Sequence, residues 1–292
     1  MQVFFSEIIQ LFNSSGNLHH CGRAPLCSDV EFIAISLFQE HCSIDSERRF
    51  FEEHKTMLPE QYLKLGSRRN YNARKHRLAY HIEEIRRRIA ERLIAVEPDN
   101  IKLIDSMPIE VCRYSRAKRC KILKEDEKSA PTFDFCATQQ LLYYGYKLHC
   151  VCSTNGVIIR YGLSQAHHHD INYLNDVKEE LSNCILIGDK GYRSNPWRLT
   201  LFEYAGIELA TPCRRNELVQ YEMPEDYPAR RKRVEVVFSQ LVDQFTIRKS
   251  YAKSQKGLFV KIILKMTLYT RLQYINLQKG LSISHLRYTL AA

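Results

Sequence analysis

No Cys-x-x-Cys pair occurs in this sequence, although it holds ten cysteines. The nearest approach, Cys150-Val-Cys152, has the period of two that suits a strand, not the spacing of a zinc knuckle. A looser group, His19, His20, Cys21, Cys27, His41 and Cys42, fits no ligand template, so ordinary buried cysteines are expected there. The first fifteen residues lack the basic start and long apolar centre of a signal peptide, and reduced thiols are therefore expected. Long hydrophobic runs are missing too. The stretch from Ile33 to Phe38 falls far short of the ~20 residues that a membrane helix needs, which points to a soluble protein with no membrane partner. There is no internal repeat or low-complexity tract. Hydrophobic residues at 45% and charged residues at 26% exclude a disordered polymer and a fibrous repeat.

What is present in excess is positive charge. Lys and Arg number 43 against 33 Asp and Glu, a net +10, and such a surplus is commonly kept for a polyanionic partner, nucleic acid first. The 292 residues exceed the ~150 of a typical domain, so one large domain or two are expected. Ser28-Asp-Val-Glu31 is a capping box that opens a helix over about 29–42, and a second helix starts at Ser46. From Lys64 to Arg92 ten basic residues face three acids, Glu83, Glu84 and Glu91. Tyr71, Leu78, Ile82, Ile85 and Ile89 are spaced as one apolar face of a basic helix, preceded by a turn at Gly66-Ser67. Either the charged face is merely solvated or it meets DNA phosphates, as in a helix-turn-helix-like module.

Composition shifts at Val96-Glu-Pro-Asp-Asn100, and strand patterns follow. Strands are expected at 101–105, 144–152 and 157–163, the last two joined by the turn Ser153-Thr-Asn-Gly156, and again at 184–188 and 207–211. Helices are expected at about 170–181, capped by Asp170, at 195–205, at 230–246 after a polar loop, and at 257–277. Strands interleaved with helices make this part α/β, with a mixed sheet.

Two acids stand out. Asp105 and Asp189 each follow an apolar strand run, and strand ends are where open α/β sheets hold their sites. Carboxylates brought together at such a place repel unless a cation lies between them. Glu235, on the helix that carries Val234, Val237, Phe238 and Leu241, lies at the edge of its apolar stripe, with Arg231 one turn earlier. The two form either an ordinary i,i+4 ion pair or a metal ligand beside a phosphate contact. Glu217, Glu222 and Glu225 in the polar loop are the competing third acids. The run His167-His-His169-Asp170 looks metallic, but adjacent histidines in an extended segment point to opposite sides, and Asp170 is better read as a helix cap.

Asp105 within Ile-Asp-Ser106, Gly188-Asp189-Lys-Gly-Tyr192 and Arg231-Lys-Arg-Val-Glu235, with acids 84 and 46 residues apart, together resemble the DDE transposases of bacterial insertion sequences. Val111-Cys-Arg113 and Tyr143-Tyr-Gly-Tyr-Lys-Leu-His149 are similar to the insertion-sequence branch numbered nine-eighty-two, and the resemblance covers roughly 20–275. One departure concerns the wider family's Tyr-x₂-Arg-x₃-Glu-x₆-Lys. Its Tyr position is Pro228 here, with Tyr227 adjacent, and its Lys position is Val242.

The resemblance implies an RNase H-like mixed α/β sheet with flanking helices, preceded by a small all-helical domain, with a DNA-binding part at 1–96 and a catalytic part at 97–292. It implies that Asp105, Asp189 and Glu235 are catalytic and hold two Mg²⁺ or Mn²⁺ ions, with Asp170 nearby in a supporting position. Lys190, Arg231 and more weakly Lys147 are implied as phosphate contacts, while the basic run itself puts forward Arg68, Arg69, Arg74 and Lys75 as contacts to duplex DNA. Water and then a DNA 3′-hydroxyl are the implied nucleophiles, so Ser106 and Tyr192 have no covalent role. The implied partners are the element's terminal inverted repeats and target DNA, bound by a homodimer or larger assembly at the bacterial nucleoid in the cytoplasm. The rivals are an RNase H-like metal-dependent nuclease that cuts without joining, and a decayed element that only binds DNA.

Overall fold

The computed structural model describes residues 16–18, 25–57, 64–213, 223–248 and 251–286. Three helices come first: α1 (Asp29–His41), α2 (Glu47–Met57) and α3 (Arg68–Val96). The capping box of α1 closes as the sequence predicts, with Ser28 and Glu31 satisfying each other's backbone N–H groups. Ser67 caps α3 after Gly66, whose φ of +71° lies in the left-handed region that suits glycine.

The sheet follows: β1 (Ile101–Cys112), β2 (Thr132–Cys136), β3 (Leu141–Ser153) and β4 (Ile158–Gln165), then, after helix α4 (Leu174–Glu180), β5 (Ile185–Ile187). Helix α5 (Asn195–Ala205), β6 (Glu208–Ala210), α6 (Tyr227–Asp243) and α7 (Gln255–Gln278) complete the order. Strands run β2-β3-β1-β5-β6, with β4 also on β3. β1, β3 and β4 are antiparallel, whereas β5 and β6 run parallel to β1. This is the mixed RNase H-like sheet with flanking helices and a helical N-terminal part.

β1 alternates between two cores. Leu103, Met107 and Ile109 join the larger cluster with Val234, Val237 and Leu241 of α6, whereas Ile104 joins Leu174, Val177, Leu186 and Leu201 on the other face. The larger cluster continues without a break into Phe32, Tyr71 and Ile82 of the N-terminal helices and Leu264 of α7. The chain changes from helix to strand between Val96 and Ile101, but its core does not divide there.

Several elements differ from the sequence expectation, each for a local reason. β1 runs on through Pro108 to Cys112, because its pairing with β5 ends at Leu103 and beyond that point Pro108 faces an unpaired edge that needs no N–H. β2 escapes the pattern because it is a short edge strand with every second residue exposed. α6 starts at Tyr227, with Pro228 in its first turn, where a missing N–H costs nothing. The cap expected of Asp170 falls to His169, which accepts from the N–H of Ile171 at 3.4 Å, and 170–173 form a 3₁₀ turn before α4.

Candidate active site

β1 and β5 lie side by side only as far as Leu103 and Ile187, and both strands then run on into an acid. Asp105 therefore stands just past the end of the parallel pair, on the face covered by α6, and Asp189 stands across from it at the start of a 3₁₀ turn. Asp189 Oδ1 accepts from the N–H of Gly191 at 2.8 Å. A Cβ at Gly191 would lie 3.0 Å from that oxygen and 3.3 Å from Asp170 Oδ2, so glycine is what lets the two carboxyl groups converge over this turn.

Asp105 keeps 19% of its side-chain surface. Its carboxyl is pushed up to about 7, above all by burial, and further by the negative charges of Asp189 and Asp170; the Ser106 N–H, at 2.8 Å, and Arg231 oppose the rise. Arg231 reaches from α6 with Nη1 3.2 Å from Asp105 Oδ2 and Nη2 2.6 Å from Glu235 Oε1. Its guanidinium thus bridges the two acids, one on the sheet and one on the helix. Glu235 itself is 51% exposed at the rim. Lys190, one residue beyond Asp189, is exposed.

Asp170 takes part in a different way from a cap. Its Oδ1 accepts from Ser106 Oγ at 2.8 Å and lies 3.6 Å from Lys147 Nζ. Lys147 also pairs with Asp134 of β2 at 3.2 Å and donates to the carbonyl of His168 at 2.9 Å. Sequence reasoning missed Asp134, because it sits on the strand that was not recognised. Behind this layer Tyr192 is fully buried, its hydroxyl 3.4 Å from His149 Nδ1. His149 Nε2 lies 2.8 Å from Ser164 Oγ, and burial pulls its pKa down to about 4.

The donors suit a divalent ion, since hard carboxylate oxygens on rigid elements are what Mg²⁺ or Mn²⁺ takes, and a buried carboxyl crowded by two other acids gains from a cation. Yet among the described residues no three His, Cys, Asp or Glu stand close enough to hold one ion. Arg231 holds Glu235 on one of its nitrogens and Asp105 on another. Of the loop acids, Glu225 is exposed ahead of α6, while Glu217 and Glu222 lie outside the described residues.

The basic residues expected at DNA separate into two kinds. Arg68 and Arg69 project into solvent at the start of α3. Arg74 is held inside instead, its guanidinium 2.6 Å from Asp29 Oδ1 and 2.7 Å from the carbonyl of Cys27. Lys75, only 4% exposed, donates to Gln39 at 2.7 Å and pairs with Glu47 at 3.5 Å. Arg86 is buried against Glu83 and the carbonyl of Ile158, whereas Arg87 and Arg88 pair with Glu84 at the surface. In the loose histidine and cysteine group, Cys27 is buried, and burial pushes its thiol up to about 11; His19, His20 and Cys21 lie outside the described residues. None of the described helices is long and apolar enough to cross a membrane.

No curated protein and no solved structure matches the chain. Residues 97–271 match the family model described as a transposase DDE domain. That span starts at the helix-to-strand change, contains Asp105, Asp189 and Glu235 and runs into α7. It takes up more than half of the 292 residues, and the chain belongs to the DDE transposase family.

Proposed function

We propose that this chain is the transposase of a bacterial insertion sequence of the nine-eighty-two type, which cleaves the terminal inverted repeats of its element and joins their 3′ ends to target DNA. The observation that supports this most is the position of Asp105, a half-buried carboxyl just past the end of a parallel strand pair, with Asp189 and Asp170 raising its proton affinity and Arg231 facing it. Asp105, Asp189 and Glu235 would hold two Mg²⁺ or Mn²⁺ ions. When bound, such ions activate an oxygen nucleophile and stabilise the departing 3′-oxygen in an in-line displacement.

The side chains supply the rest. Asp105 is carried within β1 and Asp189 on the turn that follows β5, which fixes their positions, and Glu235 closes on them from the rim when Arg231 lets it go. Arg231 and Lys190 then meet the scissile phosphate, as charge-assisted donors to its oxygens. Asp170 acts indirectly, holding Ser106 and Lys147 in place. In this reading residues 1–96, Arg68 and Arg69 among them, serve DNA-end recognition and 97–292 the chemistry. A homodimer or larger assembly joins two ends at the nucleoid, in the cytoplasm.

The test is incubation with Mg²⁺ and a labelled duplex carrying the element end. Joined products are expected. Nicking without joining would make the protein a nuclease, and a mobility shift alone would make it a DNA-binding protein that has lost its chemistry.

A further inference from the structure

A cavity of about 930 Å³ opens between the N-terminal helices and α7 and shares no residue with the acidic site. The starts of α3 and α7 both line it, through Ser67–Arg69 and through Ser254 and Gly257. Neither helix carries an acid of its own in its first turn, whereas α1 and α2 do; at α7 the N–H of Gln255 donates to Glu125 Oε2 at 3.3 Å, so the start of α3 is the more electropositive of the two. Arg68, Arg69, Lys253 and Lys261 add side-chain charge to the same wall.

Its acids are already engaged. Asp45 lies 3.1 Å from Lys265 Nζ, and Glu47 pairs with Lys75 and accepts from Asn72 at 2.9 Å. Arg68, Arg69 and Lys253 are exposed and have no acidic partner among the described residues. At the rim Tyr251 is 70% exposed, with Lys261 Nζ 5.9 Å from its ring.

We infer that this cleft binds a single strand of nucleic acid, holding two or three successive phosphates on Arg68, Arg69 and Lys253 and one base against the ring of Tyr251. The inference rests on the transposase reading and adds to it a place for the unpaired strand of a DNA end. Three features carry it. A cationic channel that follows a backbone, with an aromatic ring set in it, is how single strands are held without regard to sequence. The volume is that of a small-molecule pocket, roughly 300–1,000 Å³, which admits a few nucleotides. A duplex does not fit such a space, since its major groove alone is ~12 Å wide.

The experiment uses the full chain and fluorescence anisotropy over a salt series, with a mixed-sequence 12-nucleotide strand and the blunt duplex of the same sequence as probes. The triple variant Arg68→Gln, Arg69→Gln, Lys253→Gln should flatten the single-strand slope of log K against log salt by about 2, at ~0.7 per phosphate. Tyr251→Ala should weaken the single strand about fivefold or more and leave the salt slope unchanged. All these positions are exposed, and unfolding curves of the variants should overlay that of the wild type. With the unaltered protein, a 5-iodouracil strand should photocrosslink to Tyr251, located by peptide mass spectrometry. Variants that bind the single strand like the wild type, or a crosslink that maps elsewhere, would overturn the cleft while leaving the transposase reading intact. Absence of salt-dependent binding of either probe by the wild type would count against the reading itself.

Discussion

Arg231 and Asp105 face each other across the space between α6 and β1, Nη1 to Oδ2 at 3.2 Å, while a second guanidinium nitrogen of the same arginine holds Glu235 at 2.6 Å. One fixed cation thus serves two of the three acids assigned to divalent ions. It opposes the rise in proton affinity that burial and two neighbouring acids give the Asp105 carboxyl. A divalent ion held by these acids would have to take over that neutralisation, so the arginine and the ion would compete for the same oxygens.

This competition has a measurable sign. Arg231→Gln should bind Mn²⁺ more tightly than the wild type at pH 8, on the order of tenfold, because no charge-assisted pair has to be broken first. End cleavage by the same variant should fall, because its phosphate contact is lost. Calorimetric titration with Mn²⁺ checks the first half, and weaker binding by the variant would show that the guanidinium organises the site instead of competing for it.

Asp105 also links stability to pH. Its folded carboxyl titrates near 7, well above the ~3.9 of an unfolded chain, so between those values the folded state keeps a proton that the unfolded state releases. In the absence of divalent ions, this group's contribution is fully present below pH 4 and is lost as pH rises to about 7, by about 4 kcal/mol at most. Asp105→Asn should remove that loss. The variant is therefore expected to unfold at higher denaturant than the wild type at pH 8, with the gap narrowing towards pH 4.

Much of this was legible in the sequence, and what was not has a common cause. The capping box at Ser28, the hairpin at Asn155-Gly156 and the two acids just past the paired stretch of β1 and β5 are set by neighbouring residues and so can be read locally. The fate of the basic residues in α3 depends on partners far along the chain. Lys75 and Arg86 lie on the same stripe as Tyr71, Leu78, Ile82 and Ile89, and that spacing was the available signal that they turn inward. Their partners Gln39, Glu47 and the carbonyl of Ile158 come from other elements, as does Asp29 for Arg74. The bond from Arg231 to Asp105 spans 126 residues, and only the packing of α6 onto β1 creates it.

The division within α3 predicts two different losses. Arg74→Gln removes a charged partner of Asp29, which is wholly buried, and should cost about 3 kcal/mol of stability. Arg69→Gln should leave stability within about 0.5 kcal/mol and instead reduce the salt dependence of DNA binding. Urea unfolding and anisotropy on the same preparations separate the two. Equal stability of the Arg74 variant and the wild type would place that ion pair among those of no consequence.

Gly191 gives a prediction that turns on space. A methyl group there would press on Asp189 Oδ1 at 3.0 Å and on Asp170 Oδ2 at 3.3 Å. Gly191→Ala should therefore shift the second acid and depress Mg²⁺-dependent cleavage at least tenfold, while the unfolding midpoint moves little. Cleavage at the wild-type rate would mean that the turn can give way without disturbing the acids.

Asp105, Asp189 and Glu235 are proposed to carry out DNA cleavage and joining together. Asp105→Asn, Asp189→Asn and Glu235→Gln each remove one charge and almost no volume, and the most direct measurement is joining of a labelled element end to target DNA in Mg²⁺ by each variant, with Glu225→Gln beside them. Loss of joining in all three, with end binding retained in Ca²⁺ and Glu225→Gln fully active, is the predicted result. Normal joining by Glu235→Gln, with loss in Glu225→Gln, would contradict the assignment of the third acid, and normal joining by either aspartate variant would contradict the site itself.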